Sequence, residues 1–371
     1  MTTLTWIALF VWLYLIFGHG RFWQSGPVLP ARKPSGYLPV TVVVPARDEA
    51  PVIEASLRSL LAQTYPGPLN IILVDDGSTD GTGDIVRRIT DPRLRVITGT
   101  SRPAGWSGKL WAVSQGIEAA GDAKLILLTD ADILHAPDHL LALTARIERG
   151  DLDMVSEMVE LACESPAEKA LVPAFVFFFQ LLYPFAWVND PQRAIAAAAG
   201  GTILIRRRAL DRIGGISAIR GALIDDVALA TAVKAGGKIW IGHAALARSV
   251  RPYPTAGDIW RMIARTAYVQ LRFSPTLLLL TTVGMALVWL LPPLAALFGG
   301  GTMRMLGIVT WIMMTASYLP TLQRFRRSWF WALGLPLIAL FYMAATIGSA
   351  VNHYRGRGVA WKSRTYLSAD V

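Results

Sequence analysis

The chain has 371 residues, 53% of them hydrophobic, and a mean hydropathy of +0.42, which excludes an ordinary soluble domain and leaves room for one large domain plus membrane segments. Its net charge of +10 is localised: residues 1–39 carry three basic residues and no acids, residues 275–371 carry eight basic and one acidic, and residues 40–274 balance 25 against 25. Positive charge confined to the flanks of apolar segments is membrane-proximal and argues against a nucleic-acid face; the single cysteine, Cys163, excludes an intrachain disulfide.

In chain order, "LTWIALFVWLYLIFG" (4–18) is apolar but short for a span of about 20 residues. It has no basic n-region and no clear cleavage site, so residues 1–20 read as an uncleaved anchor, with basic residues after it on the cytoplasmic side. From residue 40 strands and helices alternate. "VTVVVPARDEA" is a buried strand ending in a polar loop. "PVIEASLRSLLAQTY" is helical, with Pro51 at a natural first-turn position. "LNIILVDDGSTDGT" is a strand and turn, "GDIVRRIT" a helix, "RLRVITGT" a strand, "SGKLWAVSQGIEAA" a helix and "AKLILLTDADI" a strand. This order predicts an α/β domain over 40–250, Rossmann-like, with a mostly parallel sheet that binds ligands beyond its C-terminal strand ends.

Three polar clusters fall at those ends: Arg47-Asp48-Glu49, Asp75-Asp76 and Asp130-Ala131-Asp132. One carboxylate pair after a strand is an ordinary turn; three such clusters are not. In an extended chain Ala131 points away and the carboxylates of Asp130 and Asp132 converge on one side. There is no GxGxxG after the first strand and no GxxxxGK[ST], so neither a dinucleotide fold nor a P-loop is expected; "GWSGK" (105–109) has the wrong spacing. Carboxylates repel a diphosphate unless Mg²⁺ or Mn²⁺ bridges them. His135 and His139 lie four apart, but Pro137 stands between them and no zinc pattern is present.

Inside the polar half, "ALVPAFVFFFQLLYPFAWV" (170–188) reads either as a buried helix or as an interfacial helix dipping into lipid; Pro173 and Pro184 argue against a straight span. Residues 251–274 form a membrane-entry segment whose Arg261, Arg265, Gln270 and Arg272 are candidates to meet a diphosphate or an acceptor. Stretches 275–298, 303–320 and 329–351, within 275–351, are long enough to span, and 352–371 is a basic tail. With 40–274 cytoplasmic, the loop "QRFRRS" returns to the cytoplasm as the positive-inside rule requires, but the tail then opposes the rule. Either the tail is translocated against the rule, or one segment is re-entrant or interfacial, with Pro292-Pro293 and Pro336 marking places where a segment could break.

The phrases "VVVPARDE", "LVDDGSTDGT", "GKLWAVSQGIEAA" and "LLTDADI", followed by "GGTILIRRRALDRIGGI" and "LIDDVALATAVKAGGKIWIG", resemble the sequence marks of family 2 glycosyltransferases, which have the GT-A fold. "PAFVFFFQLLYPF" and "GRGVAWKSRTY" look like the hopene-associated glycosyltransferases within that family. The resemblance implies a nucleotide-sugar pocket lined by Pro45, Arg47, Glu49, Asp75 and Asp76, with Asp76 near a uracil and ribose. It also implies that Asp130 and Asp132 form the family's DxD, with Asp132 the main ligand of Mg²⁺ or Mn²⁺. Lys109 would reach the phosphates or the sugar, and Gly200 and Gly201 would allow its close approach. Asp225-Asp226 stands where the family has Glu-Asp, with Asp226 the catalytic base. The QxxRW of processive members is absent; "YVQLRF" (268–273) is the nearest text.

The expected activity is inverting transfer from a nucleotide-diphosphate sugar, UDP-sugar first, to a lipid acceptor, a hopanoid by the narrower resemblance. The expected setting is a multi-pass protein of the cell inner membrane, with its catalytic domain cytoplasmic and no nucleic-acid partner. Two other readings stay open. A processive membrane polysaccharide synthase would need QxxRW, and a non-catalytic lipid- or nucleotide-binding protein would need a broken DxD or base.

Overall fold

The computed structural model describes residues 1–357, 359–361 and 364–366, so the basic tail expected over 352–371 lies only partly within the described residues. The chain divides into two compact units. One contains residues 27–162 and 187–252 with the antiparallel strand pair Val359–Trp361 and Arg364–Tyr366; the other contains residues 1–26, 163–186 and the chain from Tyr253 to the end of the last long helix. The continuous domain expected over 40–250 is therefore interrupted: the aromatic stretch leaves it for the helical unit, and residues 27–29 join it through a bridge from Val28 to His243.

The first unit is built on an eight-stranded sheet. Its strands are β1 (Val40–Ala46), β2 (Leu69–Asp75), β3 (Leu94–Thr98), β4 (Leu125–Thr129), β5 (Ile133–His135), β6 (Met154–Glu160), β7 (Thr202–Arg206) and β8 (Ile239–Ser249), in the order β3-β2-β1-β4-β7-β6-β8-β5. From β3 to β4 every pairing is parallel, and β1, flanked on both sides, is buried at every position, which is why it reads as an unbroken apolar run. Beyond β4 the sheet is mixed: β4–β7, β7–β6 and β8–β5 are antiparallel, and only β6–β8 is parallel. The helix Gly108–Ala119, capped by Ser107, lies so close to the sheet that a Cβ on Gly116 would fall 2.4 Å from Val43 Cγ1. Because β2 and β4 flank β1 on opposite sides, the strand order reverses between β1 and β4. A doubly wound sheet opens its ligand crevice at such a reversal.

The second unit is helical. Pro275–Phe298, Gly301–Arg324 and Leu335–Tyr354 are long and apolar enough to cross a membrane, whereas Thr2–Phe17 has 16 residues and is shorter. Pro292-Pro293 does not break its helix. A π turn at Ala286–Leu290 absorbs the prolines, and the Val288 carbonyl, which Pro292 cannot satisfy, accepts a hydrogen bond from the buried Trp12 indole at 2.9 Å. Pro336 likewise does not break a helix but starts one. The stretch read as either a buried or an interfacial helix lies largely in the helix Pro166–Leu182, begun by a capping box at Ser165 and Glu168 and buried along one face. Phe177 is fully buried, with ring centroids 5.3 Å from Phe22 and 5.1 Å from Tyr318, and Phe178 meets Trp289 edge-on and Tyr342 at a tilt.

Candidate active site

The loops after β1 and β2 are sewn together. Asp48, at φ +52°, accepts from the Thr79 amide and donates its own amide to Ser78 Oγ; the Glu49 amide donates to Thr82 Oγ1, and the Ala50 amide to Asp80. The polar letters of "DDGSTDGT" thus brace the neighbouring loop. Asp75 accepts the Ser78 amide, and Arg47 donates to the Asp76 carbonyl and lies 3.6 Å from its nearly buried carboxylate. Pro45, Arg47, Glu49, Asp75 and Asp76 therefore gather at one end of the parallel half.

Across the reversal, residues 130–132 are a turn and not an extended chain: the Ile133 amide donates to the Asp130 carbonyl at 3.3 Å. The two carboxylates of the DxD consequently take different cations. Asp130 pairs with Lys109 at 2.9 Å. Asp132 accepts from Arg251 Nε at 2.8 Å and from Ser249 Oγ at 3.1 Å. They still sense each other, since burial lifts Asp130 above the ordinary carboxylate range against the pull of Lys109, and Asp132 adds to that lift. Lys109 also pairs with Asp225 at 3.1 Å. Burial opposes its charge, but Asp130 and Asp225 more than offset that and hold the ammonium on. Asp225 and Asp226 open the helix Asp225–Lys234. Asp226 accepts from the Gly200 amide at 2.9 Å and from its neighbour Val227 at 2.8 Å. Loss of solvent, then the charge of Asp225, pushes Asp226 up to about 7.

One pocket is lined by Pro45, Lys109, Asp130, Gly200, Asp225 and Asp226 together with apolar side chains such as Ile216 and Leu229. A Cβ on Gly200 would sit 3.3 Å from Lys109 Nζ and 3.5 Å from Asp226 Oδ2, so glycine keeps this wall open; at Gly201 a Cβ would press on Val159 at 3.1 Å. Arg251, which also holds Glu49 at 2.7 and 2.8 Å, was not among the expected site residues. Its only signal is a basic residue just past the last strand, more than a hundred residues from either partner. Arg261, Arg265, Gln270 and Arg272 belong to the helical unit, where Arg261 pairs with Asp258 and Gln270 donates to Tyr183 Oη at 2.7 Å.

The residues present suit a hard divalent cation. Each DxD carboxylate has one oxygen engaged, Oδ1 of Asp130 and Oδ2 of Asp132, which leaves an oxygen on each for a ligand. Among the described residues no group of three His, Cys, Asp or Glu could hold a metal ion, but Mg²⁺ and its relatives need only one or two carboxylates when phosphates complete the shell.

Residues 41–214 match the description of glycosyl transferase family 2. The chain is 30% identical over 149 residues to an N-acetylglucosaminyltransferase of Bradyrhizobium elkanii, covering 74% of that protein and 39% of this one. It is 28% identical over 224 residues to the probable glycosyltransferase YdaM of Bacillus subtilis, covering 57% of this chain and 52% of that protein, so it spans about half the length of this relative. Among solved structures, the mannosyltransferase PcManGT from Pyrobaculum calidifontis, in complex with GDP-Man and Mn²⁺, superposes with a TM-score of 0.58 over 98% of this chain and 99% of its own, at 21% identity; that likeness is one of fold. The chain belongs to glycosyltransferase family 2. Its sheet is the Rossmann-like, mixed sheet of a GT-A fold, with three apolar helices in the C-terminal region.

Proposed function

We propose that the chain is a membrane-bound inverting glycosyltransferase that moves a sugar from a nucleotide-diphosphate sugar, UDP-sugar first, to the hydroxyl of a membrane lipid. One observation carries this reading: the base candidate Asp226, the DxD residue Asp130 and the cation Lys109 line a single pocket at the reversal of the sheet. The nucleotide would lie against Pro45, Arg47, Glu49, Asp75 and Asp76. Lys109 would turn toward the diphosphate. Asp130 and Asp132 would hold Mg²⁺ or Mn²⁺, which when bound offsets the charge of the leaving diphosphate. Asp226, with two N–H donors orienting its carboxylate, would take the acceptor's proton, and a single displacement from its side of the sugar would invert the anomeric configuration. With its affinity for protons near neutrality, Asp226 is suited to accept one.

The three apolar helices support a lipid acceptor, and the narrower sequence resemblance makes a hopanoid the first to test. The basic cluster Arg324, Arg326 and Arg327 supports a cytoplasmic catalytic unit in the inner membrane. The purified full chain in lipid, given UDP-, GDP- and dTDP-sugars with Mn²⁺, should produce new glycolipids by mass spectrometry. Transfer only to water or to soluble sugars would refute the lipid acceptor.

A further inference from the structure

Behind the site runs a buried chain of hydrogen bonds that the proposed reaction does not use. Glu157 Oε2 lies 2.5 Å from His139 Nε2, His139 Nδ1 lies 2.8 Å from His135 Nδ1, His135 Nε2 lies 3.1 Å from Thr129 Oγ1, and Thr129 donates to the Gly201 carbonyl at 2.8 Å. All four side chains are at most 4% exposed.

The last bond sets the direction of all the others. A carbonyl only accepts, so the Thr129 proton points at Gly201. Thr129 can then only accept from His135 Nε2, and because burial and the neighbouring His139 keep His135 neutral, its Nδ1 is left as an acceptor. His139 must therefore donate through Nδ1. Its Nε2 bond to Glu157 needs a further proton, held either on the acid or shared as an ion pair. The reverse arrangement, with a bare carboxylate accepting from a neutral His139, would leave the 2.8 Å contact between Thr129 and Gly201 without a hydrogen. Glu157 Oε1 points the same way: it is buried with no hydrogen-bond partner, a costly place for half of a carboxylate and a cheaper one for the carbonyl oxygen of an acid.

We infer that Glu157, His139 and His135 are positioning residues for the transfer site: they keep one proton between Glu157 and His139 and, through Thr129, fix the glycine pair whose amide orients Asp226. The last link of the relay, from Thr129 to Gly201, touches both walls of the site. Thr129 is the residue before Asp130, and Gly201 follows Gly200, whose amide donates to Asp226. Ser156, beside Glu157 on β6, holds the preceding residue of this turn by exchanging hydrogen bonds with Ala199. The surroundings are consistent with a closed system. The neighbouring helix Ile53–Leu61 contributes uncharged Ser59, which accepts from the His135 amide, and on β8 the register sets Gly242 beside Glu157 and turns His243 to the other face. Burial pushes Glu157 up to about 8 and His139 down to about 3, the directions that a neutral, protonated relay requires.

This inference rests on the proposed transfer reaction, and its test reads the relay separately. Selective ¹⁵N-histidine NMR of the full chain in nanodiscs should show a neutral His135 protonated on Nε2 and a His139 protonated on Nδ1 near pH 7. A His135 protonated on Nδ1 would overturn the relay, whether or not any sugar is transferred. In turnover, Glu157→Gln supplies a permanent N–H to His139 and should keep kcat near wild type, while kcat of the wild type falls as pH rises through about 8 and that of the Gln variant does not. Glu157→Leu should lose about tenfold to a hundredfold in kcat with KM for the donor little changed. Equal loss in the Gln and Leu variants would overturn the proton's role. Absence of transfer by the wild type with every donor would instead remove the reaction itself, an outcome the histidine tautomers do not share.

Discussion

Replacing Asp226 by Asn separates catalysis from stability. The amide cannot accept a proton, so if Asp226 is the base proposed above the change should cost about 10²–10⁴ in rate, roughly 2.7–5.5 kcal/mol of barrier. The fold should tolerate the change. Asp226 accepts from the amides of Gly200 and Val227, one on each oxygen, and Asn has a single acceptor oxygen, so one of these bonds is lost at about 0.5–1.5 kcal/mol. The opposing effect depends on pH. The native carboxyl titrates near 7, above its ordinary 3.8, so over that window the folded chain binds a proton that the unfolded chain lacks. Wild-type stability therefore falls as pH rises from about 4 to 7 through this group, and Asn removes that slope. The variant should thus gain on wild type between pH 4 and pH 8 in thermal unfolding, bind UDP as wild type does by calorimetry, and transfer labelled sugar at least about a hundredfold more slowly. Wild-type transfer rates in this variant would refute the role of Asp226, and Asp225 would be tested next.

Chelation by EDTA should stop transfer, and Mn²⁺ or Mg²⁺ should restore it, except in Asp132→Ala; full activity after exhaustive metal removal would contradict this. Arg251→Gln leaves the nearly buried Glu49 and Asp132 without their shared cation, so denaturant unfolding should show a loss of about 1–3 kcal/mol, and Arg251→Lys, lacking the planar fork, should rescue little of it. Trp12→Phe keeps an aromatic ring but removes the indole N–H and part of a fully buried side chain, stranding the Val288 carbonyl, which should lower thermal stability in detergent by at least about 1 kcal/mol; an unchanged transition would show that the bond contributes nothing.

What was legible in the sequence was what is local. The apolar runs that stop at carboxylates mark β1, β2 and β4; beyond their ends Arg47 meets Asp76, and Asp130 shares a pocket with Pro45. What was not legible depends on partners far along the chain. Arg251 looks like any loop arginine until β8 brings it to Glu49, 202 residues earlier. The DxD looked extended because alternation is the default after a strand, whereas a hydrogen bond from Ile133 turns it. Pro292-Pro293 looked like a break because the sequence does not display a π turn or a tryptophan that donates to the surplus carbonyl. The histidines lacked a metal spacing, and their actual use, a relay to Glu157, needs a strand 18 residues beyond His139.

The bond from Trp12 to Val288 has a consequence for biosynthesis. Its two ends are 276 residues apart, so one helix completes its packing with another synthesised much later. At about 5–20 residues per second the interval is roughly 15–55 s. Throughout it the Thr2–Phe17 helix holds an indole N–H with no final acceptor, and at 16 residues it is too short to cross the hydrocarbon comfortably. Through that interval the Thr2–Phe17 helix lacks its final partner and depends on other contacts. Codon changes that lengthen translation between these two helices should raise the share of chains lost to quality control, with no change in the finished protein.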